Sequence, residues 1–122
     1  MNFYKEDLLD HYQNPRNAAA LASYTHRHLA LNPMCGDKVE VFVQCQDNAI
    51  KNIAFVSSGC VLSTAAASKF SLCVKNLSIQ HIQKLDHEYM INLMGMQLGI
   101  NRMQCILLPL QALKAALEIK KD

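Results

Sequence analysis

At 122 residues and 51% apolar content, the chain can bury one core but not several, so residues 1–122 read as one domain. A formal net charge of only +2 provides no broad positive field, which excludes nucleic acid as an expected partner. Apolar runs such as 106–110, broken by Pro109, fall far short of the ~20 residues of a membrane-spanning helix, and Lys5, Glu6 and Asp7 interrupt the opening stretch where an export signal is apolar. No membrane partner is expected, and the expected location is cytoplasmic.

Residues 3–12 carry Phe3, Leu8, Leu9 and Tyr12 near helical spacing, ahead of the breaker Asn14-Pro15. A short amphipathic helix is predicted there. Residues 25–31 alternate loosely, with His26, His28 and Ala30 opposite Arg27, Leu29 and Leu31, and predict a first strand. Asn32-Pro33-Met34-Cys35-Gly36-Asp37 has turn composition, which places Cys35 and Asp37 in a loop. Residues 38–45 alternate cleanly, with Val39, Val41, Val43 and Cys45 on one face. With residues 50–56 across Gln46-Asp47-Asn48 they predict an antiparallel hairpin. Ser63 is the expected N-cap of a helix through Val74, with Cys60 just before it. Ser78 and Asp86 open two further predicted helices, over 78–85 and 86–96. Ile106, Leu110, Leu113 and Leu117 predict a C-terminal amphipathic helix. Placing Pro109 in its first turn, where the missing donor costs little, puts Cys105 at the helix entrance.

Five cysteines in a chain of this type read as reduced thiols rather than a disulfide framework. Cys35, Cys60 and Cys105 each fall at an expected loop or loop-to-helix junction, and at the helix starts expected for Cys60 and Cys105 unpaired amides favour the thiolate that binds metal. Asp37, across a glycine from Cys35, can add a carboxylate to the set. Cys-Gly-Asp plus two distant cysteines is not a compact zinc-finger spacing. Cys45 on the valine face and Cys73 in mid-helix read as buried structural thiols. His26 and His28 read as a solvated face, His81 and His87 as solvated helix ends, and Met90, Met94 and Met96 as core filling.

Four segments carry a resemblance. His11-Tyr12-Gln13-Asn14-Pro15-Arg16-Asn17, Asn32-Pro33-Met34-Cys35-Gly36-Asp37 and the run from Gly59-Cys60 to Ala67-Ser68 occur in order, followed by Arg102-Met103-Gln104-Cys105 and an alanine-rich helix. Along nearly its whole length the chain resembles the NifU, IscU and SufU family of iron–sulfur cluster scaffolds. The resemblance implies an α+β fold, a small antiparallel three-stranded sheet packed with about five helices. It implies a transient iron–sulfur cluster, of the 2Fe–2S type, or zinc, held by Cys35, Asp37, Cys60 and Cys105. Cys105 is the implied persulfide acceptor and Asp37 the carboxylate that keeps the cluster labile. The implied partners are a cysteine desulfurase and apo iron–sulfur proteins, and the implied state is a monomer or weak homodimer.

Two departures bear on the branch. Gln104 stands where the IscU branch has histidine, and Leu98-Gly99-Ile100-Asn101-Arg102 replaces its chaperone-binding Leu-Pro-Pro-Val-Lys. The SufU branch lacks that histidine but carries an insertion, whereas 44 residues separate Cys60 from Cys105 here. The branch stays open on sequence. A cluster carrier without turnover of its own is the expected function. A zinc-bound sulfur relay that activates a desulfurase is the alternative, and an interaction module with a structural zinc is a third reading.

Overall fold

The computed structural model describes residues 3–34, 36–95 and 98–118, with the side chains of residues 3, 4 and 101 left aside. Its elements run α1 (Phe3–Gln13), β1 (His26–Asn32), β2 (Asp37–Gln46), β3 (Ala49–Ser58), α2 (Val61–Val74), α3 (Ile79–Gln83), α4 (His87–Met94) and α5 (Ile100–Glu118). The three strands form one antiparallel sheet in the order β1-β2-β3. This is the expected α+β arrangement, with five helices among the described residues.

The alternation along β2 decides which way the sheet faces. Val39, Val41 and Val43 are fully buried, and across the β2–β3 ladder Val41 meets Phe55 and Val43 meets Ile53. One-residue slippage would expose all of them, so this face pins the register. The β2–β3 connection is Asp47-Asn48, both at positive φ (55° and 61°). That is the two-residue geometry whose twist matches paired strands. A register shift at Gln44/Cys45 leaves Cys45 half-buried.

Onto the valine face pack α2, mainly against β3, and α5, mainly against β1 and β2. Phe70, Ile106, Leu113, Met90 and Met94 fill the space between them and are fully buried. Burying each such side chain contributes roughly 1.5–3 kcal/mol. That gain explains the main departure from the expected elements. The last helix starts at Ile100 and runs straight through Pro109. A proline inside a helix costs about 3 kcal/mol, but Ile106, Leu108 and Leu110 on either side of it are 4% exposed or less. Tertiary burial overrides the local cost.

The other helices follow their caps. Ser78 and Asp86 accept the amides of His81 (3.0 Å) and Tyr89 (3.1 Å), and Gly95, in the left-handed region at φ 74°, ends α4. Met96 lies outside the described residues. His26 and His28, expected to be solvated, are half-buried, because α5 covers that side of β1.

The α1 helix packs on α2 through Leu8 and His11, while Leu9 and Tyr12 stay exposed. The motif that follows α1 ties the two helices together. Ser68 Oγ accepts the Arg16 amide at 2.8 Å and lies 2.7 Å from His11 Nδ1. Asn17 Nδ2 donates to Ser71 Oγ at 2.9 Å, and the Asn17 carbonyl accepts the Phe55 amide of β3 at 2.8 Å. Asp7 pairs with Lys69 and approaches His11 Nε2 at 3.7 Å.

His11 is pushed below its usual pKa, first by burial and then by the Arg16 charge, with Lys69 adding to the effect and Asp7 and Asp10 opposing it. The unfolded chain therefore takes up this proton first as pH falls. The His11 contribution to stability is complete above about 6.5, the ordinary histidine value, and is lost between there and the lower folded-state pKa. Asp10, lowered chiefly by its hydrogen bond to Arg16, loses its contribution only below the ordinary aspartate range and so falls outside this window. Urea unfolding from pH 8 to 5 should show the midpoint falling below about pH 6.5 in the unaltered protein. His11→Gln should flatten that slope, and an unchanged slope would remove His11 as its source.

Candidate metal centre

Three remote segments meet at one end of the sheet. Asp37 is the first residue of β2 and shares the parity of Val39, Val41 and Val43, so it points to the helix side and is 4% exposed. It was expected in a loop; pairing with Asn32 of β1 extends the ladder to it. β3 leaves the sheet at Ser58, opposite Lys38. Gly59 then turns the chain so that Cys60 becomes the N-cap of α2, with φ −79° and ψ 168°. Ser63, the expected cap, lies inside the first turn instead.

Cys105 enters from α5. It is the sixth residue of that helix, not its entrance, and is 7% exposed. The field of a helix N-terminus fades within the first turn, so the electrostatic argument for a thiolate at Cys105 lapses.

One ligand-capable atom from each of Asp37, Cys60 and Cys105 can be chosen so that all lie within 4.8 Å of one another. Two thiolates on one tetrahedral zinc stand about 3.7 Å apart for Zn–S bonds of ~2.3 Å. The set thus needs to close by only about 1 Å. Two sulfurs and one carboxylate suit zinc or one edge of an iron–sulfur cluster. Cys35, the fourth expected ligand, lies outside the described residues.

A hydrogen-bond pattern fixes Cys60 here. Its amide donates to Asp37 Oδ1 at 3.1 Å, and its sulfur accepts the Ser63 amide at 3.4 Å. In an ordinary capping box the second half is a glutamate three residues on. Here a carboxylate from the neighbouring strand takes that place. Gly59 makes this approach possible, since a Cβ on it would overlap Asp37 Oδ1 and lie 2.6 Å from Asp37 Cγ. Its φ of 152° also favours glycine.

The other described cysteines, Cys45 and Cys73, stay apart from this group. Burial pushes the Cys45 thiol up, against a smaller lowering by Thr25, which keeps it protonated. Cys73 sits beside Tyr89, whose hydroxyl is pushed up to about 12 by burial first and then by Cys73. His81 and His87 are exposed, as expected, and so is Gln104. The roles of Gly59 and Ser63 were not read from sequence. The Gly59-Cys60 pair was a signal for the first; the local sequence marked Ser63 as an N-cap and gave no sign of its contact with the Cys60 sulfur.

The NifU-like N terminal domain family matches residues 3–121. The chain belongs to that family. A relative within reach of it is the iron–sulfur cluster assembly scaffold protein IscU 1 of Archaeoglobus fulgidus, 29% identical over 93% of this chain and 74% of its own. The zinc-dependent sulfurtransferase SufU of Bacillus subtilis is 30% identical over 63% of this chain and 52% of its own. In fold, the N-terminal part of a nitrogen-fixing NifU-like protein from Brucella abortus superposes with a TM-score of 0.76, at 17% identity over 93% of this chain and 90% of that one. No helix among the described residues is long and apolar enough to cross a membrane.

The contact at Gly59 gives a direct test. Gly59→Ala should displace Asp37 and lower zinc affinity by at least about tenfold, the scale seen when the supports of metal ligands are removed. Competition titration against a chromophoric chelator measures it, and unchanged affinity would show that the carboxylate is not part of the site.

Proposed function

We propose that this chain is a scaffold for iron–sulfur cluster assembly, which takes sulfur from a cysteine desulfurase, holds a nascent cluster and passes it to apo-proteins. The observation that carries the reading is the convergence of Asp37, Cys60 and Cys105 donors within 4.8 Å in a chain of the NifU-like family. Cys35, Cys60 and Cys105 serve as thiolate ligands and Asp37 as the fourth. The cluster, of the 2Fe–2S type, is cargo. A carboxylate binds iron less tightly than thiolate does, so Asp37 is the position from which exchange begins.

Sulfur arrives by thiol–persulfide exchange. The acceptor thiolate attacks the outer sulfur of the donor persulfide, the donor S–S bond breaks, and the donor leaves as a thiolate with no net oxidation. Cys105 is the proposed final acceptor. Because it is 7% exposed, delivery requires the start of α5 to yield, or entry past the half-buried Cys60. Met34 and Ile100, 86% and 82% exposed, precede the site on its loop and on α5, and give an incoming donor protein apolar surface to meet.

A zinc-bound sulfur relay is the second reading, favoured by a donor set that also suits zinc and by the similarity to a zinc-dependent sulfurtransferase. Anaerobic reconstitution with iron, sulfide and a desulfurase separates the two. The scaffold develops the visible absorption of a cluster; the relay stays colourless while raising desulfurase turnover.

Single serine replacements of Cys35, Cys60 and Cys105 should abolish tight zinc or cluster binding, since a hydroxyl is not ionised at neutral pH. Cys45→Ser and Cys73→Ser should retain it. Equal loss at all five, read by metal analysis of protein purified without air, would mean that folding and not ligation had been disturbed.

A further inference from the structure

We propose that Ser63 is a positioning residue for the site, and that its hydroxyl turns onto the Cys60 sulfur when that sulfur holds metal. The inference rests on the reading of Cys60 as a ligand. Ser63 is fully buried in the first turn of α2. Its hydroxyl donates to the Cys60 carbonyl at 3.1 Å and stands 3.6 Å from Cys60 Sγ, within the longer reach of a sulfur acceptor. One hydrogen thus has two acceptors in range.

The carbonyl can release that hydrogen cheaply. It also accepts the Thr64 amide at 3.2 Å, so it remains bonded if the hydroxyl turns away. No water replaces the hydroxyl, because the position is closed to solvent. When Cys60 carries the charge of a metal-bound thiolate, a charged acceptor outbids an already bonded neutral one. The sulfur then receives two donors from one residue, the Ser63 amide at 3.4 Å and the Ser63 hydroxyl. Hydrogen bonds to cluster sulfurs are among the determinants of affinity and potential.

The nearby pair of Ser57 and Thr64, with hydroxyl oxygens 3.2 Å apart, supplies a control. It links the end of β3 to the first turn of α2 and has no hydrogen bond to the sulfur.

Cobalt(II) is the probe, since sulfur-to-cobalt charge-transfer bands report the electron density on the ligand sulfur. Ser63→Ala should shift these bands to lower energy and weaken cobalt and zinc binding by about tenfold. Alanine fits the space and favours the helix, which circular dichroism of the metal-free protein verifies. Ser63→Gly, also lacking the hydroxyl, should show the same shift, and Ser57→Ala should show none. Bands unmoved in both Ser63 variants, or moved equally by Ser57→Ala, overturn the proposal. Charge-transfer intensity left undiminished by Cys60→Ser would overturn the reading of Cys60 as a ligand, a different failure.

Discussion

The hydrogen bond from the Cys60 amide to Asp37 Oδ1 joins the start of β2 to the start of α2, and most of the site geometry follows from it. Asp37 is buried because the sheet register places it on the valine face. A buried carboxylate is tolerated only with donors or cations close by. The N-terminus of α2 supplies a donor, and in return Asp37 satisfies an amide that a helix start would otherwise leave to water. Gly59 is the condition for this exchange, because only a residue without Cβ leaves room for the Asp37 carboxylate to lie so close against its backbone.

This arrangement gives the same side chains two duties. Cys60 caps a helix through its sulfur and, in the proposed role, offers that sulfur to a metal, while Asp37 holds the cap and, in the same role, offers a carboxylate. In that proposed role, the hydrogen bonds already hold two donors close together, which reduces the ordering that cargo binding costs. Further along, the same helix is held by Ser68 and Ser71 to His11 of α1 and to Arg16 and Asn17 just after it. The opposite wall, α5, is held by burial around Pro109 and carries Cys105 into a nearly closed position.

Much of this was legible because it is local. The valine alternation of β2, the Asp47-Asn48 turn, and the Ser78 and Asp86 caps each depend on neighbours within a few residues, and each formed where expected. The three cysteines and Asp37 were legible by motif, and the structure brings together the three of these four that are described. What failed were inferences in which local cost competes with distant packing. Pro109 argued for a helix start, yet burial of Ile106, Leu108 and Leu110 carries α5 through it. Ser63 argued for an N-cap, yet the bond between strand and helix at Cys60 moved the cap three residues earlier.

The sequence by itself determined the chemistry on offer: which residues are soft or hard donors, which strand face is apolar, and where the chain can turn. Those are properties of single residues and short periodicities. Only the tertiary structure decided which donors converge, how deeply each is buried, and that a strand carboxylate completes the cap of the neighbouring helix. Such facts depend on the joint placement of β2, α2 and α5, whose residues are dozens of positions apart, and no local pattern encodes a distance between them.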